Sequence, residues 1–131
     1  MRFNGDTGSN YSYRGLRGLG TTVQSYNSTT WVSSYGTQYD EFIWMHTCSS
    51  ASTSDTFNFS TIYIPNYAGS TNKSISVEFA SENNGAAAEV GAEAGLWSNT
   101  AAITSITFLP DVGYGNIKSG SSFYLFGITK S

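Results

Sequence analysis

Alternation of apolar and polar residues predicts β-strands along most of this chain. The clearest case is the run in which polar residues separate Ile75, Val77 and Phe79. Side chains of a strand point to opposite faces in turn, so these three apolar side chains are expected on one buried face. Residues 56–67 alternate in the same way, and the turn at 69–72 between the two runs predicts a β-hairpin.

Strands are also predicted in the first half of the chain, where the patterns are weaker. A short strand at 2–4 precedes a polar loop, and the alternation of 11–16 predicts a second strand. A third strand is predicted at residues 22–24. Residues 39–48 are the most hydrophobic stretch of this half, and their aromatic and β-branched side chains favour a strand over a short, uncapped helix.

The last third of the chain contains two predicted strands joined by a glycine-rich loop. Residues 103–109 are rich in β-branched and aromatic side chains and stop at Pro110. Residues 123–128 are apolar on both alternating faces. This pattern predicts either a central strand or one that a neighbouring subunit covers.

Residues 85–95 are the one segment in which helix propensity competes with strand formation. Alanine and glutamate dominate it, but Gly91 lies in the middle, and about two turns of helix are marginal without tertiary packing. We expect an irregular or strand-like connection here, with a short helix as the alternative. About seven short strands in a 131-residue chain predict one domain with an all-β fold, a jelly-roll-like antiparallel β-sandwich.

Composition and charge exclude several partners for such a domain. Hydrophobic residues make up 39% of the chain and charged residues only 11%, a balance typical of β-rich extracellular or virion-exposed proteins. The net charge is −3 with six Lys and Arg, so we expect no nucleic-acid partner. The apolar runs are too short to predict membrane insertion, and Met1-Arg2-Phe3 does not predict a signal peptide. The single Cys48 excludes an internal disulfide.

Four stretches resemble a module of tailed-bacteriophage structural proteins. They are FNGDTGSNYSY (3–13), IYIPNYAGSTNKS (62–74), AGLWSNTAAITSITF (94–108) and SGSSFYLFGI (119–128). Such modules form the C-terminal part of tail fibres, head fibres and related virion proteins. Phe126 occupies a position at which the family usually has Tyr. The resemblance implies a place on the virion surface, other virion proteins as partners, and assembly as a homo-oligomer. It implies no chemistry.

The residues themselves also argue against catalysis. His46 is the only histidine, and its neighbours on the predicted strand face, Trp44 and Cys48, make an apolar setting. The adjacent Asp40 and Glu41 would point to opposite faces of a strand, which does not suit the paired carboxylates of a glycosidase. We therefore predict no catalytic residue, no metal site and no cofactor.

Two further sets of polar residues have a chemical interpretation and a simpler structural one. Folding can bring carboxylates together within the pairs Glu78 and Glu82 or Glu89 and Glu93, but nothing in the sequence selects these pairs, and a solvated face is the favoured interpretation. The N-terminal loop offers oxygen atoms from Asn4, Asp6, Ser9 and Asn10. A single carboxylate falls short of the spaced acidic ligands of calcium loops.

Aromatic residues in the least regular part of the chain are the candidates for ligand binding. They are Tyr26, Trp31, Tyr35 and Tyr39, and they lie among Ser, Thr, Asn and Gly. A saccharide needs a flat apolar ring face with polar groups at its edges, which this mixture supplies. The alternative interpretation is that these rings fill the core or a subunit interface. Trp97, within the phage-like stretch, is assigned to packing.

The C-terminal apolar run is the candidate for a subunit interface. Its members are Phe123, Tyr124, Leu125, Phe126 and Ile128. Symmetric closure of an oligomer, with a trimer expected, hides such a surface.

Three functional hypotheses follow from these residues and the resemblance. The first is a fibre-tip or receptor-binding domain that contacts host-surface polysaccharide. The second is a capsid-decorating protein that binds the virion lattice. The third is a lectin or glycan hydrolase.

Overall fold

The structure, a computed structural model, describes residues 1–28, 54–82, 88–109 and 116–128. These parts contain seven strands and no helix. The strands are β1 Arg2–Phe3, β2 Tyr11–Leu19, β3 Thr22–Ser28, β4 Phe59–Tyr63, β5 Lys73–Ser81, β6 Glu89–Trp97 and β7 Ile106–Thr107. They form two antiparallel sheets, which confirms the predicted fold class of an all-β antiparallel sandwich.

The larger sheet has five strands in the order β3-β2-β6-β5-β4, and the smaller sheet pairs β1 with β7. Chain neighbours pair in β2–β3, β4–β5 and β5–β6, whereas β2 pairs with β6 across a long sequence separation. This long-range pairing aligns Tyr11 with Trp97 and Gly15 with Glu93. β6 is therefore the central strand, with a hairpin on each side.

The predicted hairpin between the two alternating runs is confirmed as β4 and β5. Ile75, Val77 and Phe79 are all buried, as the alternation predicts. Lys73 at the start of β5 is buried too, and its Nζ donates hydrogen bonds to the carbonyl oxygens of Gly69 (2.8 Å) and Thr71 (2.5 Å). These bonds satisfy the buried ammonium group and hold the connection between the strands.

The core lies on one face of the five-stranded sheet, which we call the inner face. Its buried apolar residues are Met1, Phe3, Tyr11, Ile75, Val77, Phe79, Trp97 and Ile103. Phe3 of the small sheet packs against Trp97, with ring centroids 5.5 Å apart, so the two sheets share this core. The prediction that Trp97 serves packing is confirmed.

The loop after β1 is tied to the chain that precedes β7 by one side chain. Asn4 Oδ1 accepts hydrogen bonds from the backbone N–H groups of Thr104 (2.8 Å) and Ser105 (3.1 Å), and its Nδ2 donates to the carbonyl oxygen of Ala102 (2.8 Å). Residues about a hundred positions apart are thereby held together.

Two predicted elements continue further than their patterns indicate. β2 runs through Gly15 and Gly18 to Leu19, and β3 extends the predicted 22–24 to Ser28. Of 85–95, the described part belongs to the regular strand β6, so the short-helix alternative is wrong there. The predicted strand 39–48 lies outside the described residues.

Near the C-terminus, one predicted strand is shorter than expected and another does not form. Of 103–109, only Ile106–Thr107 forms a strand, because β1 offers just two residues as its partner. Residues 123–128 form no strand and are not buried within the chain. This segment pairs with a strand of neither sheet.

Within the described ranges, the structure contains no helix of the length and apolarity needed to cross a lipid bilayer.

Candidate functional site

The most exposed apolar surface is the C-terminal segment, residues 123–128. Phe123 is 48% exposed, and Tyr124, Leu125, Phe126 and Ile128 are exposed to between 77% and 88%. Scattered apolar residues on a surface are ordinary, whereas contiguous ones mark interaction sites. The structure thus brings together the five residues predicted as a subunit interface and leaves them accessible. Their contact with another subunit stays a prediction.

The base of the C-terminal segment is anchored to the rest of the molecule. The rings of Phe123 and Phe108 stack with centroids 4.9 Å apart. Before the segment, Lys118 Nζ lies 5.4 Å from the ring centroid of Phe57 and 3.4 Å from the carbonyl oxygen of Thr56. The stacking of Phe123 on Phe108 thus attaches the start of the C-terminal segment to the rest of the molecule.

A second candidate is a polar cluster on the inner face, where β3, β2 and β6 run side by side. Tyr26 and Glu93 are both register partners of Gly15, one on each side of it. A Cβ at Gly15 would lie only 2.5 Å from Tyr26 Cζ, so the absence of a side chain lets the Tyr26 ring lie across β2. The Tyr26 hydroxyl then donates a 2.5 Å hydrogen bond to Oε1 of the buried Glu93.

Arg17 continues this cluster along β2. Its guanidinium carbon lies 5.5 Å from the centroid of the Tyr26 ring, within the range of a cation–π contact. Nη1 forms an ion pair with Glu89 at 3.3 Å, and Nε donates to Oε1 of Gln24 at 2.9 Å. The cluster thus pairs two carboxylates with one guanidinium and a tyrosine hydroxyl.

Burial raises the pKa values of three residues of the cluster. It raises the pKa of Tyr13 to about 12, and the negative charge of Glu93 adds to the effect. The pKa of Tyr26 is raised by burial and then by its hydrogen bond to Glu93. Burial also raises the pKa of Glu89, against the opposing effect of Arg17. At neutral pH both tyrosines are therefore protonated, and Tyr26 is a hydrogen-bond donor.

The geometry of this cluster does not suit a glycosidase. Glu89 and Glu93 lie four residues apart on one strand, about 13 Å, which is wider than the roughly 5–9.5 Å between catalytic carboxyl groups. Both carboxylates are also engaged, by Arg17 and Tyr26 respectively. Glu78 is exposed on the opposite face of the sheet. The cluster holds three strands together.

The N-terminal loop uses its carboxylate in structure as well. Asp6 accepts hydrogen bonds from Trp97 Nε1 (2.7 Å), the Gly8 N–H (2.8 Å) and Asn10 Nδ2 (2.9 Å). Burial acts to raise its pKa, but these donors outweigh it and lower the pKa overall. N–H donors thus occupy the oxygen atoms that a calcium ion would need. Across the described residues, no group of three or more His, Cys, Asp and Glu side chains is placed to hold a metal ion.

The predicted ligand-binding residues are only partly placed. Tyr26 is half-buried, with one ring face against Gly15, and it meets Tyr13 edge-on at 6.0 Å. Trp31, Tyr35 and Tyr39 lie outside the described residues. His46, Cys48, Asp40 and Glu41 also lie outside them. The saccharide-binding prediction for these aromatic residues stays a prediction.

Sequence reasoning named Tyr26, Glu89 and Glu93 of the polar cluster, but it missed Arg17 and the contacts that join these residues. In β6, Glu93 is buried while Val90, Ala92 and Ala94 are exposed, the reverse of what hydrophobicity predicts. The sequence does contain a signal for the buried face of β6, because Gly91 and Gly95 alternate with Glu89 and Glu93 on one side of this strand. Glycines at every fourth position mark a face on which neighbouring rings lie close to the backbone.

Comparison with known proteins leaves the phage resemblance as a prediction. No protein-family model, no curated protein and no solved structure matches the chain.

Proposed function

We propose that this chain is a non-enzymatic structural module of a tailed-bacteriophage virion that assembles with copies of itself through its C-terminal segment. The observation that supports this proposal is the contiguous exposure of Tyr124, Leu125, Phe126 and Ile128. Each 100 Å² of apolar surface removed from water contributes about 2.5 kcal/mol, so a few such side chains supply much of an association free energy.

A trimer is the proposed state. The C-terminal segment projects from one point of the subunit, so three copies can bring their segments together around a threefold axis. Closed symmetry hides the apolar surface, whereas an isolated subunit leaves it available for aggregation.

The proposed role is that of a fibre-tip or receptor-binding domain that contacts host-surface polysaccharide. Its support is the resemblance of the four stretches to phage fibre modules, together with the predicted aromatic face of Trp31 and Tyr35. The alternative is a capsid-decorating protein whose apolar segment binds the virion lattice. A lectin or glycan hydrolase is the third candidate, and the engagement of Glu89 and Glu93 within the sheet argues against the hydrolase.

The molar mass in solution tests the assembly proposal. We expect threefold association at tens of micromolar by sedimentation velocity, and loss of this threefold association in the double variant Leu125→Ser/Phe126→Ser, whose melting temperature should stay close to that of the wild type. Tyr67→Ser is the matched control, because it removes an exposed aromatic side chain outside the segment. A wild-type protein that is cleanly monomeric would contradict the proposal.

Two binding assays separate the fibre role from the decorating role. If Trp31 stacks on sugar, Trp31→Ala should abolish adsorption to host cells or isolated surface polysaccharide with little change in melting temperature. A buried Trp truncated to Ala would instead cost about 3–5 kcal/mol. Loss of capsid binding with adsorption intact would favour the decorating role.

A further inference from the structure

The side of the five-stranded sheet that faces away from the core, the outer face, carries an apolar row that crosses every strand. Its members, in sheet order, are Val23, Gly18, Val90, Ala80 and Phe59, and each is the register partner of the next. Val23 is 86% exposed, and Val90 and Phe59 are each 62% exposed. In folded domains, a second layer of secondary structure normally covers such an apolar sheet face.

The rest of the outer face is nearly uncharged, and it includes the exposed Tyr63 on β4. The next row contains Leu16, which is exposed, and Ala92 on β6. Along the described strands, this face carries only two charged residues, Arg14 on β2 and Glu78 on β5. Both are exposed. The single ion pair among the described residues joins two other side chains, Arg17 and Glu89.

We infer that a second copy of this chain covers the outer face, in a twofold face-to-face contact with β6 packed against β6. The sheet order places β2 and β3 on one side of β6 and β5 and β4 on the other. A twofold axis along β6 therefore lays β2 of one copy over β5 of the second, and β3 over β4. Aligned sheets pack in this way about 10 Å apart.

Under this twofold rotation, the side chains of the apolar row in the two copies face one another. Val23 of one copy faces the larger Phe59 of the second, and Gly18 faces Ala80. Val90 meets its own copy near the axis. Each apolar member of the row thus faces another apolar or small residue, and the row is covered along its whole length.

The charges match as well, and this match favours a second copy over an unrelated partner. Within one copy β6 separates Arg14 from Glu78, and they lie on different register rows, so about 12 Å divides them, too far for an ion pair. Across the twofold contact, Arg14 lies over β5 of the second copy, one register row from Glu78. Symmetry makes two such pairs, one on each side of β6.

This contact does not rest on the proposed function, because the outer face and the C-terminal segment share no residue. If both contacts form, the assembly contains an even number of copies, six in the case of a trimer. A dimer would carry the face-to-face contact alone, and a trimer the C-terminal contact alone.

Charge exchange on the full chain tests the inference, with association measured by sedimentation velocity over a range of concentrations. We expect R14E and E78R each to weaken the face-to-face association at least roughly tenfold, since like charges then face each other. The double variant R14E/E78R should restore it. V90E should abolish it, because two carboxylates would meet near the axis.

Tyr67→Glu is the matched control, since it introduces the same charge as V90E at an exposed position away from this face. Circular dichroism melts should show every variant folded. Association that V90E leaves unchanged, or that the double variant fails to restore, would overturn the inference. A face that binds some other protein would give that result, because the mass of the purified chain would not respond.

Discussion

Glycines on the inner face decide where the aromatic rings of this protein lie. Gly15 leaves room for the ring of Tyr26, and Gly91 leaves room for Phe79, whose Cζ would lie 2.4 Å from a Cβ at that position. Both rings can thus extend across a neighbouring strand. This placement lets Tyr26 reach Glu93, so a missing side chain on β2 creates a hydrogen bond between β3 and β6.

Alanine at Gly15 should destabilise the protein, whereas alanine at Gly18 should not. At Gly15 the new Cβ displaces the Tyr26 ring and leaves the buried Glu93 without this donor, so we expect a loss of about 1–3 kcal/mol in the free energy of unfolding. At Gly18 the nearest atom lies 3.7 Å from the new Cβ, an ordinary contact. That variant should change stability little. Urea denaturation measures both, and equal effects would contradict the proposed contact.

The buried tyrosines predict a loss of stability at alkaline pH. Burial raises the pKa of Tyr13 from 10.0 to about 12, so the folded state keeps a proton that the unfolded state releases. Stability from this source is complete below pH 10.0 and is lost as the pH rises toward about 12. The raised pKa of Tyr26 acts in the same direction.

Tyr13→Phe should therefore flatten the alkaline slope. The free energy of unfolding of the wild type should fall between pH 10 and 12, and that of the variant should fall less steeply. Tyr63→Phe, at an exposed tyrosine, serves as the control and should follow the wild type. Parallel slopes for all three proteins, measured by urea denaturation at each pH, would show that Tyr13 is not responsible.

At the scale of elements, the central strand is the one whose composition least resembles a strand. β6 is paired on both sides, with β2 and with β5, over all nine of its residues. The edge strands β3 and β4 are each paired with one described strand. Two neighbours compensate for the weak strand propensity of Ala, Gly and Glu, because each backbone group of β6 finds a partner.

Amide hydrogen exchange should reflect this arrangement. Under native conditions we expect the amides of β6 to exchange more slowly than those of β3 and β4, because opening a central strand breaks two ladders. The C-terminal segment, measured in the variant Leu125→Ser/Phe126→Ser that lacks the proposed threefold contact, provides the unprotected reference. Exchange from β6 as fast as from β4 would contradict the central position of this strand.

At the scale of the whole molecule, the folded unit and the assembly surface are separable. The core connects the small sheet to the inner face, while the C-terminal segment touches the described part of the molecule through the stacking of Phe123 on Phe108. The association that we propose for this segment would therefore not depend on the stability of the subunit.

A chain that ends after Phe123 should therefore fold normally and fail to trimerise. We expect its free energy of unfolding, measured in dilute solution where both proteins are monomeric, to lie within about 0.5 kcal/mol of the full chain. Its circular dichroism spectrum should keep its β character with little helix. A truncated chain that unfolds much more easily would place residues 124–128 in the core instead.

The sequence by itself determined the fold class, the β4–β5 hairpin and the burial of Ile75, Val77 and Phe79. These features depend on period-two alternation and on contacts between neighbours in the chain, which the order of residues expresses directly. It also picked out the apolar run at 123–128, because five large apolar side chains in six residues need a covering surface.

Only the tertiary structure decided which face of β6 is buried and where the C-terminal segment goes. Val90 and Ala92 point outward because the register of β2 and β5 places Glu93 and Gly91 beneath Tyr26 and Phe79. The partners that settle this lie far apart in the chain, so no local pattern contains them. The position of residues 123–128 outside both sheets also depends on which distant strands pair with one another.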